Sequence, residues 1–394
     1  MRSGRRSIPL RLLCLLVALA SCGGSGDLRR DVAKPAARAV LRGLIPRAGA
    51  DPTGTNVALR ALPGLVAGAP IVDGDFADPF VLAAGRDLYG YSTNTSTAKV
   101  PVFRLRLGTR SGEYVGDALT AVPSWSEPGF VWAPAVAAFG TRFVLYYSTR
   151  VAGTTMQCLS RATSADPAGP FVDDSTAPMV CQRDGGGTID PSVVSDGKGT
   201  RWLLFKNDGN CCGLGVSLWS AQLSPDGTAV VGDVHRLLTA RSTWEGKLIE
   251  GPSMVRHAGD FFLFYSGNAW DSERYAIGVA RCASPAGPCR RISDRPWRSS
   301  TPFARGPGGQ EFFDVGGTTW MVYHGWAIGD PIEPGAQRRL FVDIVAFRDG
   351  RPVSVGRGLG TGLVIAVGAG IAALAGAMLV VRRRRRRRSP VPSG

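Results

Sequence analysis

Three acidic residues stand at matching places in a repeated pattern, and they point to chemistry. Asp78 and Asp190 each precede a proline, and Glu250 lies one residue earlier in its own copy of the pattern. Like charges gathered in one low-dielectric cavity are costly unless their raised or separated pKa values serve a purpose. Hydrolysis of a glycosidic bond is such a purpose, because one carboxyl group protonates the leaving oxygen while another activates water, about 6.5–9.5 Å away in an inverting enzyme. A single aspartate before proline is a common turn starter, so the set of three carries the prediction.

The repeat that positions these residues consists of a small or acidic residue, a proline, an apolar run, a polar turn and a second, aromatic strand. Its copies begin at Asp78-Pro79, Ala133-Pro134, Asp190-Pro191 and Gly251-Pro252, with a weaker fifth copy at Glu311-Phe312-Phe313. The four prolines are 55, 57 and 61 residues apart. Repeats of this kind are typical of propeller blades, so the sequence predicts an all-β fold, a five-bladed β-propeller, over residues 71–353. Because the first strand of each blade lines the central channel, we expect the three carboxylates to share one cavity.

Four segments of the repeat resemble the successive blade motifs of glycoside hydrolase family 43. They are Phe76-Ala77-Asp78-Pro79, Trp132-Ala133-Pro134, Ile189-Asp190-Pro191-Ser192 and Ile249-Glu250-Gly251-Pro252. Carried over by position, the resemblance implies that Asp78 is the general base, Glu250 the general acid, and Asp190 the residue that orients the acid and raises its pKa. It implies inverting hydrolysis of α-L-arabinofuranosides or β-xylosides in polysaccharide, with arabinan-type substrates as the first choice.

Further residues are candidates for contact with the sugar or with an ion. Aromatic rings commonly stack on sugar rings, which makes Phe76, Trp132 and Trp270 candidate substrate-binding residues, although each is also a candidate core residue. His324 resembles the histidine that approaches a channel ion in related arabinanases, so it is a candidate to bind or lie near Ca²⁺; the alternative is an ordinary buried histidine. Arg338 resembles an arginine that the family directs toward the sugar, and the alternative is a solvated edge residue.

Two other functions are compatible with a propeller. A fructan-hydrolysing propeller would carry Asn-Asp-Pro-Asn-Gly in its first blade, whereas this chain has Asp78-Pro79-Phe80. A non-catalytic carbohydrate-binding or adhesion propeller would have kept the fold and lost activity, yet all three carboxylates are present here. The sequence leaves endo and exo cleavage open.

The two ends of the chain predict export and membrane attachment. Residues 1–22 combine four arginines with an apolar stretch, as in a signal peptide, and Leu19-Ala20-Ser21-Cys22 resembles a lipobox whose Cys22 is either acylated or incidental. Residues 23–70 are predicted to be a flexible tether. Residues 358–381 lack charge over 24 positions, which suits a transmembrane helix, and the basic tail 382–394 is expected to stay cytoplasmic with the propeller outside.

Charge and cysteine content narrow the remaining functions. Removing the seven arginines of 382–388 and the four of the signal from the net charge of +15 leaves +4, so the basicity reflects topology and predicts no nucleic-acid partner. Cys158 with Cys181 and Cys282 with Cys289 are predicted disulfides of an oxidising exterior. The adjacent Cys211 and Cys212 have no predicted partner, and no Cys-x-x-Cys pair suggests zinc.

Overall fold

A computed structural model describes residues 72, 74–107 and 112–354. Within these ranges nineteen strands form five antiparallel sheets, one for each predicted blade. No helix there is long and apolar enough to cross a bilayer. The signal peptide, the tether, the segment 358–381 and the basic tail that the sequence predicts lie outside the described residues.

Each blade is built from consecutive strands that alternate in direction. Blade 1 contains β1 (Phe80–Ala84), β2 (Asp87–Tyr91), β3 (Pro101–Arg106) and β4 (Glu113–Asp117). Blade 2 contains β5 (Ser126–Phe139), β6 (Arg142–Val151) and β7 (Gln157–Ser164). Blade 3 contains β8 (Thr188–Ser195), β9 (Arg201–Asn207), β10 (Ser217–Leu223) and β11 (Val230–Thr239). Blade 4 contains β12 (Ile249–His257), β13 (Asp260–Gly267), β14 (Ala276–Cys282) and β15 (Cys289–Arg291). Blade 5 contains β16 (Ala304–Val315), β17 (Thr318–Ala327), β18 (Arg339–Arg348) and β19 (Arg351–Ser354).

Five hydrophobic cores lie between the blades, one for each adjacent pair, including the pair formed by blades 5 and 1. The second strand of a blade serves two cores because its side chains alternate between the two faces of the sheet. In β13, Leu263 joins the core shared with blade 3, while Phe262 and Phe264 join the core shared with blade 5. This explains why the middle of such a strand is a continuous apolar run, Phe261–Tyr265 in β13. The ring of cores confirms the predicted five-bladed propeller.

The innermost strand of each blade carries an irregularity where it faces the channel. Five residues at equivalent positions have positive φ: Asp78 (48°), Ala133 (46°), Asp190 (59°), Gly251 (53°) and Gly309 (58°). In blades 2 to 5 the pairing with the second strand shifts at this position, as in a β-bulge. The proline that follows in four blades fits a bulge, since it has no N–H to donate to the ladder. The bulge therefore turns one residue per blade toward the axis.

A closed ring of hydrogen bonds joins these five residues to neighbouring blades. Ala133 donates its N–H to Thr93 Oγ1 (3.0 Å), and Asp190 donates to Ser148 Oγ (3.1 Å). Gly251 donates to Asp190 Oδ2 at 2.8 Å, and Gly309 donates to Ser266 Oγ at 2.9 Å. The ring is completed where Asp78 donates its N–H to His324 Nδ1 at 3.0 Å, joining blade 1 to blade 5.

The seam between blades 1 and 5 has further polar contacts. The N–H of Phe76 donates to the carbonyl oxygen of Arg338 at 2.7 Å, and the N–H of Arg338 donates to Asp75 Oδ1 at 2.8 Å. The two predicted disulfides, Cys158–Cys181 and Cys282–Cys289, are present within blades 2 and 4. Among the described residues, the seam that joins the two ends of the propeller is held by packing, hydrogen bonds and the ion pair between Arg338 and Asp78, and no disulfide crosses it.

The seam predicts how His324 contributes to stability. Replacing His324 with alanine removes the acceptor of a buried N–H and leaves a cavity, which should lower the free energy of unfolding by about 2–4 kcal/mol. His324→Asn is the matched control, because its Oδ1 occupies nearly the place of Nδ1 and restores the acceptor. Urea unfolding of both variants measures the difference, and equal losses in the two would contradict the role of this hydrogen bond.

Candidate active site

The structure brings the three predicted carboxylates to one end of the channel. Asp190 accepts the N–H of Gly251, the residue next to Glu250, at 2.8 Å. Both Glu250 and Asp78 are close enough to Asp190 to raise its pKa electrostatically. The bulges of blades 1, 3 and 4 thus place acidic side chains from three repeats in one cavity, as the repeat positions predict.

Asp78 is surrounded by groups that favour its ionised form. Burial alone would raise the pKa of this carboxyl, but Arg338 and a hydrogen bond from Thr93 hold the pKa below its usual range. Thr93 donates its hydroxyl to Asp78 Oδ2 at 2.6 Å, and Arg338 Nη1 lies 3.4 Å from Asp78 Oδ1. An ionised carboxylate at this place is suited to take a proton from water.

His324 is neutral beside Asp78. Burial and the nearby Arg338 lower the pKa of its imidazole to about 3. Because Nδ1 accepts the Asp78 N–H, the ring proton is on Nε2, which is buried and has no hydrogen-bond partner among the described residues. The ring stacks on Tyr275 with 5.8 Å between centroids and 9° between planes.

Glu250 has a hydrogen-bond donor on each oxygen. Lys206 Nζ donates to Oε2 at 3.0 Å, and the Tyr275 hydroxyl donates to Oε1 at 2.8 Å. Lys206 is fully buried, and Asp208 Oδ1 is its second ionic neighbour at 3.9 Å. A buried ammonium group of this kind persists only when acidic groups surround it.

Three carboxyl groups surround the single ammonium group of Lys206. Asp190, Asp208 and Glu250 all interact with this one ammonium group. Burial and the charge of Glu250 raise the pKa of Asp190 to about 7, and burial, opposed by Lys206, raises the pKa of Asp208 to about 6. The cluster therefore retains a proton near neutral pH, while Asp78 on the other side of the cavity is ionised. One proton donor and one proton acceptor are the two elements that glycoside hydrolysis needs.

The predicted substrate-binding residues divide into two groups. Arg338 lies over the ring of Trp270, 4.7 Å from the centroid, so the two form one surface that begins at Asp78. Trp132 is half-buried beside Ala133 on the innermost strand of blade 2. Phe76, however, is only 1% exposed and packs in the core between blades 1 and 5, near Phe103. The prediction for Phe76 is wrong, because its side chain points into the seam rather than to the channel.

Four residues at the site were not predicted from the sequence: Thr93, Lys206, Asp208 and Tyr275. A signal for Lys206 exists in the repeat. The residue that follows the aromatic residue of the second strand is serine in blades 1, 2 and 4, and it is His324 in blade 5. Lys206 occupies this place in blade 3, directly after Phe205, and a lysine cannot accept the hydrogen bond that Ser148, Ser266 and His324 accept. Asp190 accepts it instead.

A five-bladed propeller with acidic residues from three blades in one cavity defines a class of carbohydrate-active hydrolases. The chain belongs to glycosyl hydrolases family 43, whose family model matches residues 67–352. It is therefore a glycosidase that hydrolyses O-glycosyl compounds, and arabinan- and xylan-type sugars are the class of substrate that the family matches support.

Individual relatives are distant but cover most of the propeller. The chain is 24% identical over 289 residues to a β-D-galactofuranosidase of Aspergillus niger, covering 67% of this chain and 78% of that protein. It is 25% identical to arabinan endo-1,5-α-L-arabinosidase B of Emericella nidulans, covering 68% and 75%. Among solved structures, a thermostable family-43 glycoside hydrolase aligns with a TM-score of 0.64 at 26% identity, covering 72% of this chain and 93% of that one.

Glu311 is a half-buried residue that lies two residues beyond Gly309 on the innermost strand. Its Oε2 accepts the hydroxyl of Ser253 at 2.6 Å, and Ser192 provides a second hydrogen bond. Ser192 and Ser253 occupy the same place in blades 3 and 4, so these residues form the next ring down the channel. Burial raises the pKa of Glu311 to about 7 in spite of these hydrogen bonds.

The pKa of Glu311 predicts a pH dependence of stability. The pKa of Glu311 is higher in the folded state than in the unfolded state. The contribution of its bound proton to folding stability is therefore complete below about pH 4.5 and is lost as the pH rises through 7. Glu311→Gln should remove this loss, on the order of 3 kcal/mol, so the variant should gain stability relative to wild type between pH 4.5 and 8. Thermal unfolding across this range measures the gain, with exposed Glu333→Gln as the control. Parallel curves for wild type and Glu311→Gln would contradict the assignment.

Proposed function

We propose that this protein is an inverting glycosidase that acts on α-L-arabinofuranosides, with arabinan as its first substrate and β-xylosides as the alternative. The observation that carries the proposal is the opposite charge environment of the two sides of the cavity. Asp78 is held ionised by Arg338 and Thr93, whereas the cluster around Lys206 retains a proton near neutral pH. The curated arabinanase relative supports the choice of sugar.

In the proposed reaction, Asp78 takes a proton from a water molecule as that water attacks the anomeric carbon. Glu250 gives a proton to the departing oxygen, and Lys206 and Tyr275 then stabilise the carboxylate that forms, since both already donate to its oxygens. Asp190 holds the N–H of Gly251 and so fixes the backbone next to Glu250. This hold on the backbone is the orienting role expected from the sequence, and the raised pKa of Asp190 keeps a proton in the cluster beside Glu250.

The surface formed by Trp270 and Arg338 is the proposed sugar platform. An indole ring offers an apolar face to a sugar ring, and a guanidinium group beside Asp78 offers donors to sugar hydroxyls. Trp132, half-buried on β5, is a further candidate. Because one relative is named a β-D-galactofuranosidase, a galactofuranoside is the second furanoside to test.

Calcium remains a proposal, with a constraint from His324. The imidazole uses Nδ1 as an acceptor and carries its proton on Nε2, so neither nitrogen of this tautomer offers a lone pair to a metal. The described residues also contain no group of three or more His, Cys, Asp or Glu side chains arranged to hold a metal ion. Direct ligation by His324 does not fit, and we propose only a hydrated cation near this ring. Such an ion would supply positive charge that favours ionised Asp78.

Membrane attachment also remains a proposal, based on the uncharged segment 358–381 and the arginines that follow it. In this arrangement the propeller lies outside the cell and residues 382–394 inside. Cys22 is the proposed site of an additional lipid anchor. The substrate would then be polysaccharide that reaches the cell surface.

The test is hydrolysis of arabino-oligosaccharides, xylo-oligosaccharides and aryl furanosides by the full chain in isolated membranes. We expect Asp78→Asn to lose activity about 10²–10⁴-fold on every substrate, because water activation is always needed. Glu250→Gln should lose as much on oligosaccharides but far less on 4-nitrophenyl glycosides, whose leaving group needs little protonation. Proton NMR of the first product should show the inverted anomer.

Controls separate the parts of this proposal. Asp260→Asn alters a carboxylate in an exposed ion pair with Arg281 and should keep full activity. If Asp78→Asn, and not Glu250→Gln, kept activity on 4-nitrophenyl glycosides, Asp78 would be the acid and Glu250 the base. Inactivity of the wild type on all substrates, with retained oligosaccharide binding, would favour an adhesion protein. Equal rates in calcium chloride and EDTA would contradict the cation, and activity released from membranes by alkaline carbonate would contradict the anchor.

A further inference from the structure

Two adjacent cysteines lie at the mouth of the cavity. Cys211 and Cys212 end the short 3-10 turn Gly209–Cys212, which directly follows β9. The innermost strand of blade 3 begins at the rim that carries Asp190, and β9 returns to that rim, so the turn after β9 lies there too. Cys212 is exposed and Cys211 is half-buried. Soluble reagents can therefore reach the pair.

The geometry of the pair favours a bond between them. Their sulfur atoms are 2.7 Å apart, closer than a van der Waals contact. The other four cysteines of the propeller are paired in disulfides, which is typical of a protein that matures in an oxidising compartment. Adjacent Cα atoms are about 3.8 Å apart, below the usual range for a disulfide, so a bond here would be more readily reduced than Cys158–Cys181, whose Cα atoms are 4.9 Å apart.

The pair is connected to the charge cluster through Asp208. Cys211 Sγ lies 3.0 Å from the carbonyl oxygen of Asp208, and this neighbouring thiol lowers the pKa of the Asp208 carboxyl group. The charged groups that face Asp208 are Lys206 and Glu250. The thiol therefore helps to stabilise the ionised form of a carboxyl group that neighbours the proposed acid.

We propose that Cys211 and Cys212 are a redox modification site, where a reversible vicinal disulfide changes the charge of Asp208 and so the proton balance of the Lys206 cluster. Forming the bond removes the S–H donor of Cys211. Asp208 then holds a proton to higher pH, because its carboxylate has lost a hydrogen bond. The effect on catalysis rests on the proposed function, whereas the bond and its effect on Asp208 do not.

The oxidant is a small disulfide such as oxidised glutathione. The thiolate of exposed Cys212 attacks one sulfur of glutathione disulfide, and one glutathione thiolate leaves. The thiolate of Cys211 then attacks the sulfur of Cys212 in this mixed disulfide, and the second glutathione thiolate leaves. The two protons of the protein thiols pass to the two glutathione thiolates, so the protein loses two electrons and glutathione disulfide gains them.

The first measurement is mass spectrometry of the full chain equilibrated in oxidised or reduced glutathione and alkylated with iodoacetamide. After tryptic digestion, the peptide 207–236 should carry two alkyl groups from the reduced buffer and none from the oxidised buffer, where it should be about 2 Da lighter than the unmodified peptide. Cys158–Cys181 should stay bonded in both buffers and serves as the internal control. Two alkyl groups on the peptide in oxidised buffer would overturn the proposal.

The second measurement is the pH dependence of thermal unfolding, which needs no activity. Asp208 has a raised pKa, so its stabilisation is present at low pH and is lost as the pH rises through about 6. Bond formation should raise this pKa further and make the fall in unfolding temperature between pH 5 and 8 steeper in the oxidised chain. A double variant, Cys211→Ser with Cys212→Ser, should give the same slope in both buffers. Equal slopes for oxidised and reduced wild type would overturn the link to Asp208.

An activity profile then connects the site to the reaction. A neutral Asp208 removes negative charge beside Glu250, so the oxidised enzyme should lose activity at a lower pH, with rates reduced about 2- to 10-fold on the alkaline side. The serine double variant should again respond equally in both buffers. If the chain hydrolyses none of the substrates, the proposed function fails, while the mass and unfolding results still decide the redox site.

Discussion

The hydrogen bond from the Asp78 N–H to His324 Nδ1 is the contact on which both the ring and the site depend. Every blade is made of consecutive strands, so within the described ranges no sheet contains strands from both ends of the propeller. The propeller ring is therefore closed by one hydrophobic core and a few polar contacts between blades 5 and 1. The same contacts fix the backbone of Asp78 and place Arg338 beside it. A substitution that breaks these contacts between blades 5 and 1 is therefore expected also to displace Asp78, the proposed base.

Charge balance is the second constraint. Three carboxyl groups and one ammonium group share a buried volume in which desolvation of each ion costs several kcal/mol. The excess negative charge is relieved by binding a proton, as the raised pKa values of Asp190 and Asp208 show. Asp78 stays ionised because the positive charge of Arg338 lies beside it and lowers its pKa. One channel thus contains a protonated and an ionised carboxyl group at the same pH. The difference comes from their surroundings, since Asp78 and Asp190 are both aspartates.

Backbone strain accompanies this arrangement. Asp78, Ala133 and Asp190 adopt a left-handed conformation that costs non-glycine residues on the order of 1 kcal/mol or more each. The surrounding packing holds them there, since each donates its N–H to the neighbouring blade. At Gly309 a side chain is excluded altogether, because a Cβ atom would lie 2.6 Å from His324 Nδ1 and 3.2 Å from Asp78 Oδ1. Strain and close packing together keep the side chains of blades 1, 3 and 4 directed at one point.

The sequence by itself determined the number of blades, their order and the convergence of Asp78, Asp190 and Glu250. A repeat of proline, apolar run and aromatic strand specifies a β-meander, and equivalent repeat positions must meet at the axis of a closed ring. The sequence also indicated that Lys206 is unusual, because it occupies a repeat position where the other blades have serine or histidine. The pairing of Cys158 with Cys181 and of Cys282 with Cys289 followed from the short loop that each bond closes and from the expected oxidising exterior.

Only the tertiary structure decided which way each neighbouring side chain points. Phe76 lies two residues from Asp78, yet it enters the core between blades, while Arg338, distant in sequence, reaches the carboxylate. Tyr275, from a loop with no repeat counterpart in the sequence, contacts both His324 and Glu250. The physical reason is that a one-residue bulge reverses the alternation of a strand, and only packing against the adjacent blade fixes where the bulge lies.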